Sequence, residues 1–160
     1  MLKRLALVVF VFAMTGVAQA KDLTNRLGVG VKSHSTLDLP ELAVVYNPSS
    51  ELQVTGGLGI DTQKDESKFA ATAGVRRIVF KEEHMNFYMG GTLGLVNWET
   101  ASKKQSGFEL DAVFGGEFFF AGLDSLGFTF EGGAGVISAD EVRFRTCLLY
   151  TSPSPRDLST

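Results

Sequence analysis

The stretch GFELDAVFGGEFFFAG, Gly107 to Gly122, sets Glu109, Asp111 and Glu117 beside large apolar residues. Counted by twos, Phe108, Leu110, Ala112, Phe114, Gly116, Phe118 and Phe120 fall in one register. Glu109, Asp111, Val113, Gly115, Glu117 and Phe119 fall in the other. A strand sends alternate side chains to opposite faces, so this segment read as a strand has one apolar and one acidic face. A helix would scatter the same acids around its circumference. The segment is therefore a strand whose two faces meet different surroundings.

Working outward, the same alternation recurs between turn signals. RLGVGVK, Arg26 to Lys32, precedes the polar loop SHSTLDLP, and LAVVYN, Leu42 to Asn47, ends in the turn NPSS. ELQVTGGLGID, Glu51 to Asp61, leads into the charged loop TQKDES, and KFAATAGVRRIVF, Lys68 to Phe80, closes with KEEH. NFYMGGTLGLVNW, Asn86 to Trp98, is followed by ETASKKQSG, then by the opening stretch, AGLDSLG and FTFEGGAGVI, Phe128 to Ile137. That makes seven strands and no long helix after the first twenty residues. The period of FAATAGVRRIVF is ambiguous, because Arg77 shares a register with Val75.

The two ends of the chain are of another character. MLKRLALVVFVFAMTGVAQA, residues 1–20, has a basic start at Lys3 and Arg4, an apolar run and small residues at Ala18 and Ala20. This is the pattern of a cleaved secretory signal peptide. Its apolar run is shorter than the ~20 residues of a membrane-spanning helix. Export permits disulfides, yet the single cysteine, Cys147, excludes a disulfide framework. From that cysteine onward the chain loses its alternation, and CLLYTSPSPRD, Cys147 to Asp157, resembles a conceptual translation of a transposon-based sequencing adapter. Residues 147–160 are accordingly expected to be an artefactual tail, and the natural chain to be cut off near Thr146.

Residues 21–146 are enough for one domain. With 12 basic and 17 acidic residues in that span, the net charge is about −5. Nothing in that balance points to nucleic acid. From the third onward the strands reach the ~9–11 residues that cross a bilayer when tilted. The turns NPSS, KEEH and AGLDSLG are short, and the loops SHSTLDLP, TQKDES and ETASKKQSG are more polar and mostly longer. Short turns at one end and longer loops at the other are expected of an antiparallel up-and-down transmembrane β-barrel. Tyr46, Phe80, Phe87, Tyr88, Trp98, Phe118 to Phe120 and Phe128 lie near strand ends, where membrane interfaces would fall.

On this reading the phenylalanine face of the opening stretch meets lipid and its acids face the interior. A small barrel is filled by side chains, and an unpaired buried charge is costly. A charge network is therefore expected among Glu109, Asp111, Glu117 and Glu131 with Lys32, Lys68 and Arg76. Glu109, Lys32 and Lys68 lie close enough to the loops that a place at the wet rim is an equal expectation. Paired glycines such as Gly56-Gly57 and Gly115-Gly116 lie mid-strand with no helix following, so they read as close-packing positions of the wall and not as phosphate cradles.

The phrases TNRLGVGVK, MNFYMGGTLGLV and GFELDAVFGGEFFFAGLDSLGFTFEGGAGV resemble the small outer-membrane β-barrel proteins of Gram-negative bacteria, of the OmpA/OmpX-like kind. The resemblance spans nearly all of residues 21–146. It implies an even strand number, eight, so that one strand is missing, with EVRFRT, Glu141 to Thr146, as the end of a hairpin or the start of that eighth strand. Such proteins usually end on an aromatic residue read by the assembly machinery, and this sequence does not. The resemblance further implies a monomer in outer-membrane lipid with no metal, no other cofactor and no nucleic-acid partner, serving a structural or interaction role or forming a narrow pore.

Two other functions stand as alternatives, the first implied by resemblance to outer-membrane barrels that modify lipid A. A lipid A-modifying enzyme would draw on His34, between Ser33 and Ser35 and near Asp38, as a general base. A soluble periplasmic barrel of lipocalin type would place the apolar face inside. His84, beside Glu82 and Glu83, reads as a surface turn, since a metal site needs more ligands.

Overall fold

The computed structural model describes residues 23–63, 66–100, 103–120, 126–139 and 141–152, with the backbone alone for 147–152. The expected signal peptide and residues 153–160 lie outside the described residues. Eight strands follow one another: β1 Leu27–His34, β2 Leu39–Tyr46, β3 Leu52–Gln63, β4 Glu66–Glu82, β5 Met85–Thr100, β6 Lys103–Phe119, β7 Gly127–Ser138 and β8 Val142–Ser152. Each pairs antiparallel with the next, and β8 returns to β1, so the chain is an all-β, up-and-down cylinder made of one sheet. The seam is short: Val31 opposite Ser152 and Lys32 opposite Thr151 are its only pairs among the described residues.

The seventh strand is thus not the last. EVRFRT supplies the start of β8, and the strand runs on through Cys147 to Ser152, pairing from Gly133↔Cys147 to Thr129↔Thr151. The expectation of seven strands is corrected for a physical reason. A ladder is made by backbone N–H and C=O groups, so the open edge of β7 accepts any chain that can offer them. Cys147 to Ser152 contains no proline, and β8 ends at the residue before Pro153, which has no N–H to donate.

The loops also differ from expectation. The polar segments TQKDES and ETASKKQSG are largely the ends of long strands: β3 runs to Gln63 and β4 begins at Glu66, while β5 runs to Thr100 and β6 begins at Lys103. The larger connections, residues 47–51 and 120–126, lie at the end where short turns were expected. Polar side chains do not terminate a strand while its partner continues, as the cross-strand pair Asn97 Nδ2 to Ser106 Oγ, 3.0 Å, shows.

The two faces are inverted relative to a water-soluble protein. Val31, Leu58, Ile60, Val75, Met89, Leu93, Leu95, Phe108, Leu110 and Phe114 are all exposed. Twelve polar or charged residues are buried, against ten apolar ones, among the described residues. At the 47–51 end the exterior carries a cluster of rings: Phe118 stacks on Phe128 at 5.0 Å, Phe120 lies 6.0 Å from Phe128, and Phe80 lies 6.1 Å from Phe87. At the 35–38 end the same outward register turns polar at Ser33, Thr62, Ser67, Asn97, Ser106 and Ser138.

Three of the rings expected near interfaces point inward instead. Tyr88 and Phe119 are buried, and Trp98 packs against the interior cluster. Each is one residue out of phase with an outward neighbour, which reverses its face. The ambiguous segment resolves through a register shift between Ile78 and Phe80, which leaves Val79 and Phe80 both exposed while Arg76 stays inside. Arg77 lies outside, 3.5 Å from Glu51.

Candidate functional site

Ionisable groups from several strands converge in the interior, which is layered along the axis. At the 35–38 end an apolar layer joins Leu37, Leu39, Ala70, Val96 and Ile137, with Trp98 packed against it. Leu37 belongs to the connection between β1 and β2, whose last residue, Asp38, adopts a left-handed φ of 48°. Asp is among the residues that tolerate this conformation.

Beneath it lies the largest polar cluster. Lys32 Nζ sits 3.0 Å from Glu41 Oε2 and donates to Thr72 Oγ1 at 3.1 Å. His34 Nε2 is 2.8 Å from Glu109 Oε1 and 3.7 Å from Glu41 Oε1. Thr36 Oγ1 donates to Glu109 Oε2 at 2.7 Å. Arg145 Nη2 reaches Glu109 Oε2 at 2.8 Å and both oxygens of Asp111 at 3.0 and 3.1 Å. Charge-assisted bonds of this kind are the strong ones, and here they serve the carboxylates of Glu109 and Asp111, which would otherwise be costly to bury.

Further down, Arg76 of β4 pairs with Glu131 of β7. The Tyr88 hydroxyl donates to Glu131 Oε2 at 2.8 Å, and its ring lies 4.5 Å from the Arg76 guanidinium carbon. The tyrosine thus supports both partners, one by a hydrogen bond and one through the ring face. Nearer the 47–51 end, Gln53 Nε2 donates to Glu117 Oε1 and Oε2 at 3.1 and 2.9 Å.

Of the seven charged residues singled out in the sequence, six are inside. Arg76 and Glu131 pair with each other, but Glu117 takes a neutral amide partner, and Glu109 and Asp111 share a cation that was not foreseen, Arg145. Lys32 pairs with Glu41, also unforeseen. Lys68 is at the rim, 3.4 Å from Glu66, with its side chain about a third exposed. The parity of each strand carried the missing signal. Counting back by twos from Val45 reaches Glu41, and counting on from Lys32 reaches His34.

Small residues make room for this network. A Cβ on Gly94 would lie 2.5 Å from Glu109 Cγ and 2.6 Å from its Oε1. One on Gly135 would overlap the Asp111 carboxylate. These glycines stand directly across the ladder from the acids they accommodate. A remaining cavity of about 20 Å³ is lined by Lys32, His34, Thr72, Thr92, Glu109, Asp111 and Glu131. That is room for about one water.

His34 is not a loop residue. It ends β1 and is 3% exposed; Nδ1 accepts from the Thr36 and Leu37 amides at 3.3 and 3.4 Å, and Nε2 lies 2.8 Å from Glu109 Oε1. Among the described residues, no three His, Cys, Asp or Glu side chains are placed to hold a metal ion. His84 is exposed, 3.9 Å from Glu83.

The class defined by these observations is an eight-stranded, up-and-down β-cylinder with an ion-paired interior and an apolar exterior. Comparison with family models, with curated proteins and with solved structures finds no match to this chain.

Proposed function

We propose that the chain is an integral outer-membrane β-barrel of an exported bacterial protein, filled along its axis and serving a structural or interaction role. One observation carries this reading: the exterior is apolar on every strand, while the acids and their cations are inside. Exposed apolar patches on water-soluble monomers rarely exceed a few hundred Å². An apolar band around the whole wall suits lipid, and the ring cluster at the 47–51 end suits an aromatic girdle at an interface.

In this orientation the 47–51 end faces the periplasm and the polar 35–38 end faces outward. The narrow-pore variant is the weaker one, because cross-lumen contacts occupy successive layers. A lipocalin-like barrel would require the apolar face inside to receive an apolar ligand, where this interior carries ion pairs. The partners on this reading are outer-membrane lipid and the barrel assembly machinery. No nucleic acid is involved, and the barrel is a monomer.

Fractionation tests the reading. Expressed with its leader in a Gram-negative host, the protein should stay with the outer membrane through high-salt and carbonate washes and leave only with detergent. Release by osmotic shock or salt would overturn the membrane reading. A lipid A mass spectrum altered by expression of the wild type and restored by His34→Ala would replace the structural role with an enzymatic one.

A further inference from the structure

The connection between β1 and β2 is held down by a titratable acceptor. His34 Nδ1 receives the backbone amides of Thr36 and Leu37 at 3.3 and 3.4 Å, and so holds no proton of its own in this arrangement. The ring proton is then on Nε2, which faces Glu109 Oε1. Leu37, the residue whose amide is held, is the one that enters the apolar layer with Leu39, Val96 and Ile137, beside Trp98. His34 Nδ1 thus holds the backbone of the loop that caps the interior, beside the Thr36 hydroxyl bonded to Glu109 and Leu37 in the apolar layer.

We propose that His34 is a proton-operated latch: its neutral form holds the 35–38 loop and Leu37 in place, and protonation of Nδ1 releases them. A protonated Nδ1 is a donor, and facing two N–H groups it repels what it had bound. Histidine is the side chain whose ordinary titration falls between pH 5 and 8.

The charged groups that face the ring come from five strands. On β6 the facing groups are Glu109 and Asp111, on β2 Glu41, on β1 Lys32, on β8 Arg145, and on β7 Glu131, which lines the same small cavity. Strands β4 and β5 contribute only the hydroxyls of Thr72 and Thr92 there. The two backbone bonds to Nδ1 are what the proton must break. The sign follows: the loop-held state binds no proton at Nδ1, so it is the high-pH state, and acid shifts the population to the released one.

Trp98 is the chain's sole tryptophan and packs on the cluster that Leu37 completes, so it reports the latch directly. In the full chain refolded in detergent micelles, its emission should shift red and its quenching by acrylamide should rise on acidification between pH 8 and 5. His34→Asn keeps an acceptor oxygen at the Nδ1 position and cannot titrate there, so its Trp98 should stay sheltered throughout. The same transition in His34→Asn, or a wild-type Trp98 unchanged across that range, would overturn the proposal. Should His34→Asn fail to fold, ring ¹⁵N shifts of wild-type His34 decide. Protonation of Nδ1 coincident with movement of the Thr36 and Leu37 amide signals supports the latch, and protonation that leaves them unmoved refutes it.

Discussion

Arg76 on β4 and Glu131 on β7 meet across the interior, and Tyr88 on β5 serves both, by a hydrogen bond to the acid and by its ring face to the guanidinium. Removing one partner of a buried pair strands the other, at a typical cost of about 3–5 kcal/mol. Arg76→Leu should therefore lower the unfolding midpoint strongly. Arg76→Leu combined with Glu131→Leu should recover much of the loss, since apolar replacement of a whole pair is often neutral. Urea titration of the refolded protein measures both, and equal destabilisation by the single and double variants would refute the pairing.

Arg145 is the second test of the interior. Its Nη2 is shared by Glu109 and Asp111, so Arg145→Met leaves two carboxylates crowded on one strand. The loss should be at least that of Arg76→Leu, again about 3–5 kcal/mol, and Asp111→Asn in the same chain should restore part of it. Refolding yield and urea midpoint in one detergent supply the comparison. No rescue by Asp111→Asn would mean that charge is not what Arg145 contributes.

Gly94 tests whether the wall is shaped around the acids. An alanine there would place its Cβ 2.6 Å from Glu109 Oε1, so the carboxylate would have to leave its bonds with Thr36 and Arg145. Overpacking of this kind typically costs about 1–3 kcal/mol. Gly56→Ala is the control, because its Cβ would meet only the Thr72 carbonyl oxygen, at 3.9 Å. Equal urea midpoints for the two variants would dismiss the notch.

The limits of what alternation can show are visible in these residues. Parity alone puts Glu109, Glu117 and Arg76 on the inner face, and it gives the strand class, antiparallel order and inverted faces. It cannot say which acid meets which cation, because that depends on sheet curvature and on strands distant in sequence, as with Arg145 and Glu109, 36 residues apart. Glu41 and His34 escaped because strand ends were placed by composition. Pro40 and the serines around His34 looked like loop, yet β2 pairs through Pro40 and β1 through His34. Tyr88 and Trp98 were read as interface rings because they lie near strand ends, when their phase already placed them inside. The eighth strand was missed for a different reason: Cys147 to Ser152 carries no alternation, whereas a ladder requires only backbone N–H and C=O groups.

The exterior offers a prediction that separates lipid from water as its surroundings. Phe114 lies midway along the outward register of β6, between Phe108 and Phe120, and is 65% exposed. On a lipid-facing wall, Phe114→Arg places a charge near the middle of the apolar band, at a cost of about 2–4 kcal/mol. Ser106→Arg, in the same register where the exterior turns polar, should cost little, because charge is tolerated near the interface. In water the order would reverse: replacing an exposed phenylalanine by arginine would leave stability nearly unchanged and improve solubility. Folded fraction against urea in lipid bilayers gives the comparison. A deficit confined to Phe114→Arg supports a wall immersed in lipid, and equal stability of the two variants there would exclude it.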